Sequence, residues 1–432
     1  MQPGLLESTV SLEHDDEQRF RILRYKYLSV YLVVMGADWL QGPYLYKLYQ
    51  SSFGLDLVQI ASLFLTGFTS GAIGGTLVSS TADTWGRRRI CVVFCATAII
   101  ALSLRLVQPT FPYLVLSHIL SGMASSMQHS VLEAWYVAEH HSQLLPSEWV
   151  ARTFATGAFF NGIVAILAGM IANAVVDTWG LWVPFALAIM LLAIAGCMVM
   201  TTWQENYGRS KGGSIQVMDT LVEGLHVLWN DSNILILGAA QTVFECAMYI
   251  FVLLYTPAIE NVYMFLEQDQ QHHSSAYLPL GYLFSTMMFA IMMGSLTFQK
   301  FEGWPMFNNN KERLLIPALG CASISFAVMA YDHAASLPIL LVAYHIFEFT
   351  TGLFHPTLSS LKADVIPEET RAVVMTMLRI PMNIGVGLAM WHADTVPIDY
   401  HFAICALITL FGCILVAACY QPAKATIIDP KL

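Results

Sequence analysis

Apolar runs of about 20 residues, each bounded by charges or turn residues, recur twelve times along the chain, and each is long enough to cross a bilayer as a helix. The first six occupy residues 25–48, 57–82, 89–108, 112–137, 150–176 and 180–202; the second six occupy 233–258, 278–299, 314–331, 337–361, 372–393 and 400–420. Between the sixes lies the longest polar stretch, 203–232, where Gly208, Gly212 and Gly213 precede an amphipathic pattern of Val217, Leu221, Leu225 and Leu228. The pattern predicts an all-α membrane protein of twelve transmembrane helices in two six-helix bundles. An N-terminal tail (1–24) precedes the first bundle (25–202), and a linker with a surface helix (203–232) leads to the second bundle (233–420) and a C-terminal tail (421–432).

Composition supports this reading. Only 12% of the 432 residues are charged and 56% are hydrophobic, against about 25% charged in soluble domains. Twelve spans leave no room for a large ectodomain or a tethered soluble enzyme, and nothing suggests a nucleic-acid partner. If the N-terminus is cytosolic, 17 of the 20 basic residues fall in inner segments, and only Lys47, Arg105 and Arg379 lie inside spans or at their outer ends. That asymmetry predicts both termini in the cytosol. The sequon Asn230 to Ser232 then faces the cytosol and stays unglycosylated. Asp15, Asp16 and Glu17 leave no apolar core for a cleaved signal peptide. The eight cysteines all fall in apolar stretches, which predicts packing rather than disulfides or metal.

The chain lacks a Walker A loop, so it does not itself use ATP. Two halves with ionisable groups at membrane depth are typical of a secondary transporter whose site lies between them. The loop Asp83-Thr84-Trp85-Gly86-Arg87-Arg88-Arg89 can form a charge-assisted latch that breaks when the halves rock, with Asp83, Gly86, Arg87 and Arg88 as its members; the simpler reading is a basic anchor. Gly67, Gly71 and Gly75 form a small-residue stripe that favours close helix packing.

Ionisable groups inside spans are costly and face a cavity or a partner. Asp38, Glu133, Glu245 and Glu348 occupy the first helices of four three-helix units, where they form a candidate proton-coupling or buried-charge network. Glu133, near a span end, equally suits an interfacial role. Arg379 is read as the basic residue deep in the apolar zone, with Asn383 one turn away and Gln41, Asn161 and Gln241 as further donors. A guanidinium fork matches an oxyanion; alternatively, Arg379 neutralises an acid such as Glu348. The pairs His140-His141 and His272-His273 lack zinc-site spacing, and no metal or cofactor is expected. His118 and His129 are better suited to a proton relay.

Several blocks together resemble the eukaryotic molybdate-anion transporter family of the major facilitator superfamily: Asp38-Trp39-Leu40-Gln41-Gly42-Pro43-Tyr44 through Tyr49, Glu133-Ala134-Trp135-Tyr136, Glu205-Asn206-Tyr207 and Arg379-Ile380-Pro381. The D-x-x-G-R-R loop is similar to the superfamily signature, with Ser79 where a glycine is usual. His118 to Gly122 reads H-x-x-x-G where the superfamily has R-x-x-x-G. The resemblance implies the major facilitator fold and molybdate uptake across the plasma membrane by a single-chain carrier; a monomer is expected, and no nucleophile–base pairing stands out to suggest an enzyme. Several acids around one deep arginine would strain a dianion cavity unless protons accompany the substrate, so proton symport follows as an expectation. A carrier of another small solute, cationic or neutral, and a transporter-like sensor that moves nothing are the alternatives.

Overall fold

Several helix ends fall beside glycine or proline, as at Gln41, Trp85, Trp179 and Val365. In the computed structural model, the described residues are 3–107, 109–207, 226–270, 278–302, 304, 310–332, 336–366, 371–391 and 395–421. They form twelve long helices. The first six are α1 (Pro3–Gln41), α2 (Leu57–Trp85), α3 (Arg87–Val107), α4 (Phe111–Ser142), α5 (Glu148–Trp179) and α6 (Val183–Thr202). The second six are α7 (Ser232–Gln270), α8 (Leu280–Glu302), α9 (Glu312–Asp332), α10 (Leu337–Val365), α11 (Arg371–Trp391) and α12 (Ile398–Cys419). Each of the twelve expected spans corresponds to one of them. Proline opens α4, α6 and α10 at the first or second position, where its missing N–H costs nothing. Gly86, at φ +102, makes the break between α2 and α3, a backbone that other residues rarely adopt.

The first helix differs from the expected span. α1 runs back through the predicted tail to Pro3 and stops at Gln41, because Pro43 cannot donate the next helical hydrogen bond. The rest of the span, Gly42 to Ser52, continues as a 3-10 turn, a short helical turn and a π turn. Nine helices among the described residues are long and apolar enough to cross a membrane. α1, α4 and α11, which carry many of the polar residues singled out above, are outside that set. The predicted linker helix lies largely outside the described residues.

The chain divides into two compact units. The first holds Met1–Leu55, Ser62–Lys211 and Pro279–Ser285; the second holds Asp56–Ala61, Gly212–Leu278 and Thr286–Leu432. Within the first, the stripe on α2 meets α4 in backbone contact. A Cβ on Gly122 would lie 2.0 Å from Ser70 Oγ and 2.1 Å from the Gly67 carbonyl oxygen, and one on Gly71 would lie 3.2 Å from the Gly122 carbonyl oxygen. Ser126 also donates to the Gly71 carbonyl. In the second unit the corresponding helices, α8 and α10, approach in the same way: a Cβ on Gly294 would sit 2.1 Å from the Phe349 carbonyl oxygen and one on Gly352 1.9 Å from that of Ile291. The glycine stripe is thus a packing device, repeated on the second and fourth helix of each unit.

Aromatic side chains fill the core of the second unit, where Phe244 stacks on Phe354 at 3.8 Å and Phe347 packs on Phe251 and Phe326. Asn233, at the start of α7, exchanges two hydrogen bonds with the backbone of Gln421, just beyond α12.

Candidate functional site

Along α3 the residues Cys91, Phe94, Ala101 and Leu102 are buried at helical spacing, and Arg105 continues the same stripe. Its side chain is 3% exposed. The guanidinium faces a cavity of about 300 Å³ inside the first unit, lined by Asp38 and Gln41 from α1, Phe64 and Gly67 from α2, Arg105 from α3, and His118, Ser121 and Gln128 from α4. Arg105 Nη1 donates to Gln41 Oε1 at 3.4 Å and Nη2 to Ser121 Oγ at 3.3 Å, both longer than ordinary N–H···O bonds. Nε has no partner, and no carboxylate among the described residues pairs with the group. Buried charges are normally paired and fully hydrogen-bonded. Here two stretched contacts to neutral oxygens leave the cation under-satisfied beside an open space.

The surrounding side chains are held in place. Tyr49, in the turn after α1, presents its ring to the Arg105 guanidinium at 5.7 Å. Its hydroxyl meets His118 Nε2 at 2.7 Å. Ser117 donates to the Ala101 carbonyl and pins α4 to α3. Gln41 Nε2 is occupied by the Ala37 carbonyl, leaving Oε1 toward Arg105. Gln128 donates to the Met35 sulfur at 3.3 Å.

The sequence-predicted residues are only partly brought together here. Gln41 and Asp38 line the cavity. Asn161 does not; its Oδ1 accepts from Trp39 Nε1 at 2.8 Å. Glu133 is exposed, on the half of α4 that carries His140 and His141. In the second unit Gln241 donates to Glu245 at 2.9 Å and accepts from Lys362. Glu348 is 5% exposed and makes no hydrogen bond or ion pair among the described residues. Near it Tyr344 donates to the Tyr255 carbonyl. The side chains of Arg379, Asn383, His129 and Asp83 lie outside the described residues.

Two cations differ from expectation. Arg105, placed at an outer span end, is buried on the inner stripe of α3. Lys362, counted among the loop residues, is 4% exposed and held by Gln241. Averaged hydropathy treats a residue near a helix end as wet; which way the helix faces decides otherwise.

The loop between α2 and α3 is built from within its own unit. Glu205, just after α6, accepts from the Arg88 backbone N–H at 2.9 Å and lies 3.7 Å from Arg89 Nε. Arg87 Nη1 donates to the Ala134 carbonyl and Arg88 Nη2 to that of Met200. The backbone N–H of Arg87 donates to the Asn206 carbonyl, and Asn206 Nδ2 donates to that of Trp135. Trp135 stacks on Trp203 at 3.7 Å. Glu205 therefore caps the start of α3, a role the sequence reading did not assign. Replacing it by alanine is expected to cost about 2 kcal/mol, the worth of a charge-assisted hydrogen bond to backbone. Glu205→Gln should cost under about 1 kcal/mol, because it keeps an acceptor and loses only a 3.7 Å ion pair to the exposed Arg89. Thermal melting of the purified variants tests this ranking, and equal losses would refute the capping role.

Comparison with known proteins places these features in context. A family profile described as sugar transporters with 12 transmembrane segments matches residues 4–319. The molybdate-anion transporter of Xenopus tropicalis is 32% identical over 420 residues, covering 93% of this chain and 86% of that protein. The molybdate-anion transporter of Danio rerio is 32% identical over 407 residues, with coverage of 87% and 80%. Among solved structures, the nucleoside transporter NupG superposes with a TM-score of 0.70 at 11% identity, covering 92% of this chain and 98% of its own. The xylose transporter XylE from E. coli gives 0.66 at 12%, covering 94% and 97%. At these identities the structural likeness concerns the fold alone.

Proposed function

We propose, since this chain belongs to the molybdate-anion transporter family of the major facilitator superfamily, that it takes up molybdate by alternating access, with the oxyanion held in the cavity beneath Arg105. The chain is a transporter and not an enzyme. The observation that carries the site is the Arg105 guanidinium, buried and, among the described residues, without a carboxylate and with no partner at Nε. A tetrahedral oxyanion supplies the acceptors that this fork lacks. Gln41 and Ser121 hold the fork in the direction of the cavity. The bias of basic residues toward the expected inner segments supports both termini cytosolic, and we place this multi-pass carrier in the plasma membrane on the family resemblance. We infer a monomer, with protons travelling alongside the dianion; Asp38 is the acid of the predicted network that lines the cavity.

The test is uptake of labelled molybdate in a host that lacks its own uptake, with surface expression measured for every variant. Uptake competed by tungstate and sulfate, and unaffected by organic cations or sugars, is the expected result. Competition by a cation or a neutral metabolite instead would favour a carrier of another solute. Binding without accumulation would indicate a sensor.

A further inference from the structure

A doubly charged oxyanion calls for positive charge around it, and the described lining of the cavity fixes one cation. Arg105 supplies it, while Asp38 lines the same space with the opposite charge. His118 is the other group able to become a cation there. Its side chain is 5% exposed. Its Nε2 is 2.7 Å from the Tyr49 hydroxyl, and the ring of that same tyrosine lies 5.7 Å from the Arg105 guanidinium. Gly67, one of the small residues on α2, is what leaves room for the imidazole: a Cβ at that position would stand 3.3 Å from Nδ1. Phe64 closes the same side, with ring centroids 5.9 Å apart. Among the described residues, the charged or titratable groups facing His118 are therefore Tyr49 from the turn after α1, Arg105 from α3 and, across the cavity, Asp38 from α1. The described part of α2 that lines the cavity contributes only Phe64, Gly67 and Phe68.

We propose that His118 is the proton-loading group of the oxyanion cavity, taking one proton from water as the dianion binds beside Arg105 and returning it as the dianion leaves. The inference rests on the oxyanion reading of that cavity. Only an N–H bond forms and breaks. Protonation and anion binding then favour each other by the same factor, as linkage requires. Tyr49 is a positioning residue: its hydroxyl sets the imidazole orientation, and its ring couples that orientation to Arg105.

The experiment is molybdate binding to the purified full-length chain by calorimetry, in buffers of different ionisation enthalpy and across pH 6 to 8. For the wild type, uptake of one proton per bound molybdate is expected. Affinity should rise by up to about tenfold per unit fall in pH wherever His118 titrates. His118→Gln and His118→Asn should bind weakly, with no proton uptake and a flat pH profile. Tyr49→Phe should keep the proton uptake and displace the pH midpoint. Wild-type binding without proton uptake overturns the proposal and leaves the transport reading standing. So does proton uptake retained in the His118 variants and lost in Asp38→Asn, which would move the proton to Asp38. Should the His118 variants fail to fold, an unshifted pH profile in Tyr49→Phe overturns it equally. A wild type that binds no molybdate at any pH removes the transport reading and this inference with it.

Discussion

Arg105→Ala is expected to reduce molybdate uptake by at least about 100-fold at normal surface expression. Truncating one partner of a buried, hydrogen-bonded charge pair, here the fork facing the oxyanion, costs about 3–5 kcal/mol of binding, and each 1.4 kcal/mol is tenfold in affinity. The groups left behind are neutral: Gln41, whose amide nitrogen still donates to the Ala37 carbonyl, and Ser121. The bond between Tyr49 and His118 does not involve the guanidinium. The fold therefore keeps its supports, and loss of transport reports on the anion rather than on assembly. Arg105→Lys keeps a charge but replaces the planar fork with a point donor, and should retain about a tenth of the activity. A well-expressed Arg105→Ala that transports normally would sink the site assignment and return attention to Arg379.

The second large effect concerns assembly. Gly122→Ala should cost about 3 kcal/mol or more, seen as a lowered melting temperature and reduced surface yield. The added Cβ would stand 2.0 Å from Ser70 Oγ, 2.1 Å from the Gly67 carbonyl oxygen and 2.8 Å from the Gly71 nitrogen. Two of these are backbone atoms and cannot rotate away, so α2 and α4 must separate. His118, one turn earlier on α4 and in contact with Gly67, would move with them. Gly320 on α9 is the control: its nearest neighbour to a new Cβ is Cys413 Sγ at 3.7 Å. Gly320→Ala should be neutral or stabilise by up to about 1 kcal/mol, by reducing the freedom of the unfolded helix. Equal melting of Gly122→Ala and wild type would refute the close-packing account.

Legibility of the site varied residue by residue. Asp38 and Gln41 were found because a charge and an amide inside an apolar run stand out, and both line the cavity. Asn161 and Gln241 stand out for the same reason, yet Asn161 does not line the cavity, its Oδ1 accepting from Trp39, and the Gln241 amide is engaged by Lys362 and Glu245. A lone sequence cannot separate a polar group that waits for a ligand from one already satisfied by a neighbour 122 or 121 residues away. Arg105 carried a usable signal, since it falls in helical register with Cys91, Phe94, Ala101 and Leu102. Position near a span end hid it. The capping role of Glu205 carried no comparable signal, because the bond it makes to the α3 backbone joins segments 117 residues apart.

By itself, the sequence determined the number of helices, their grouping into two sixes and the break at Gly86. Each of these depends on local chemistry: the transfer of side chains into lipid adds up along a window, and glycine and proline act on their own backbone. The tertiary structure alone decided which charges are buried and by whom. The rotation of α3 turns Arg105 inward, α10 carries Lys362 to Gln241, and α2 comes close enough to α4 for His118 to lie against Gly67. Such outcomes depend on packing between residues far apart in the chain, where a few ångströms decide whether a polar group is satisfied by the protein or left for a ligand.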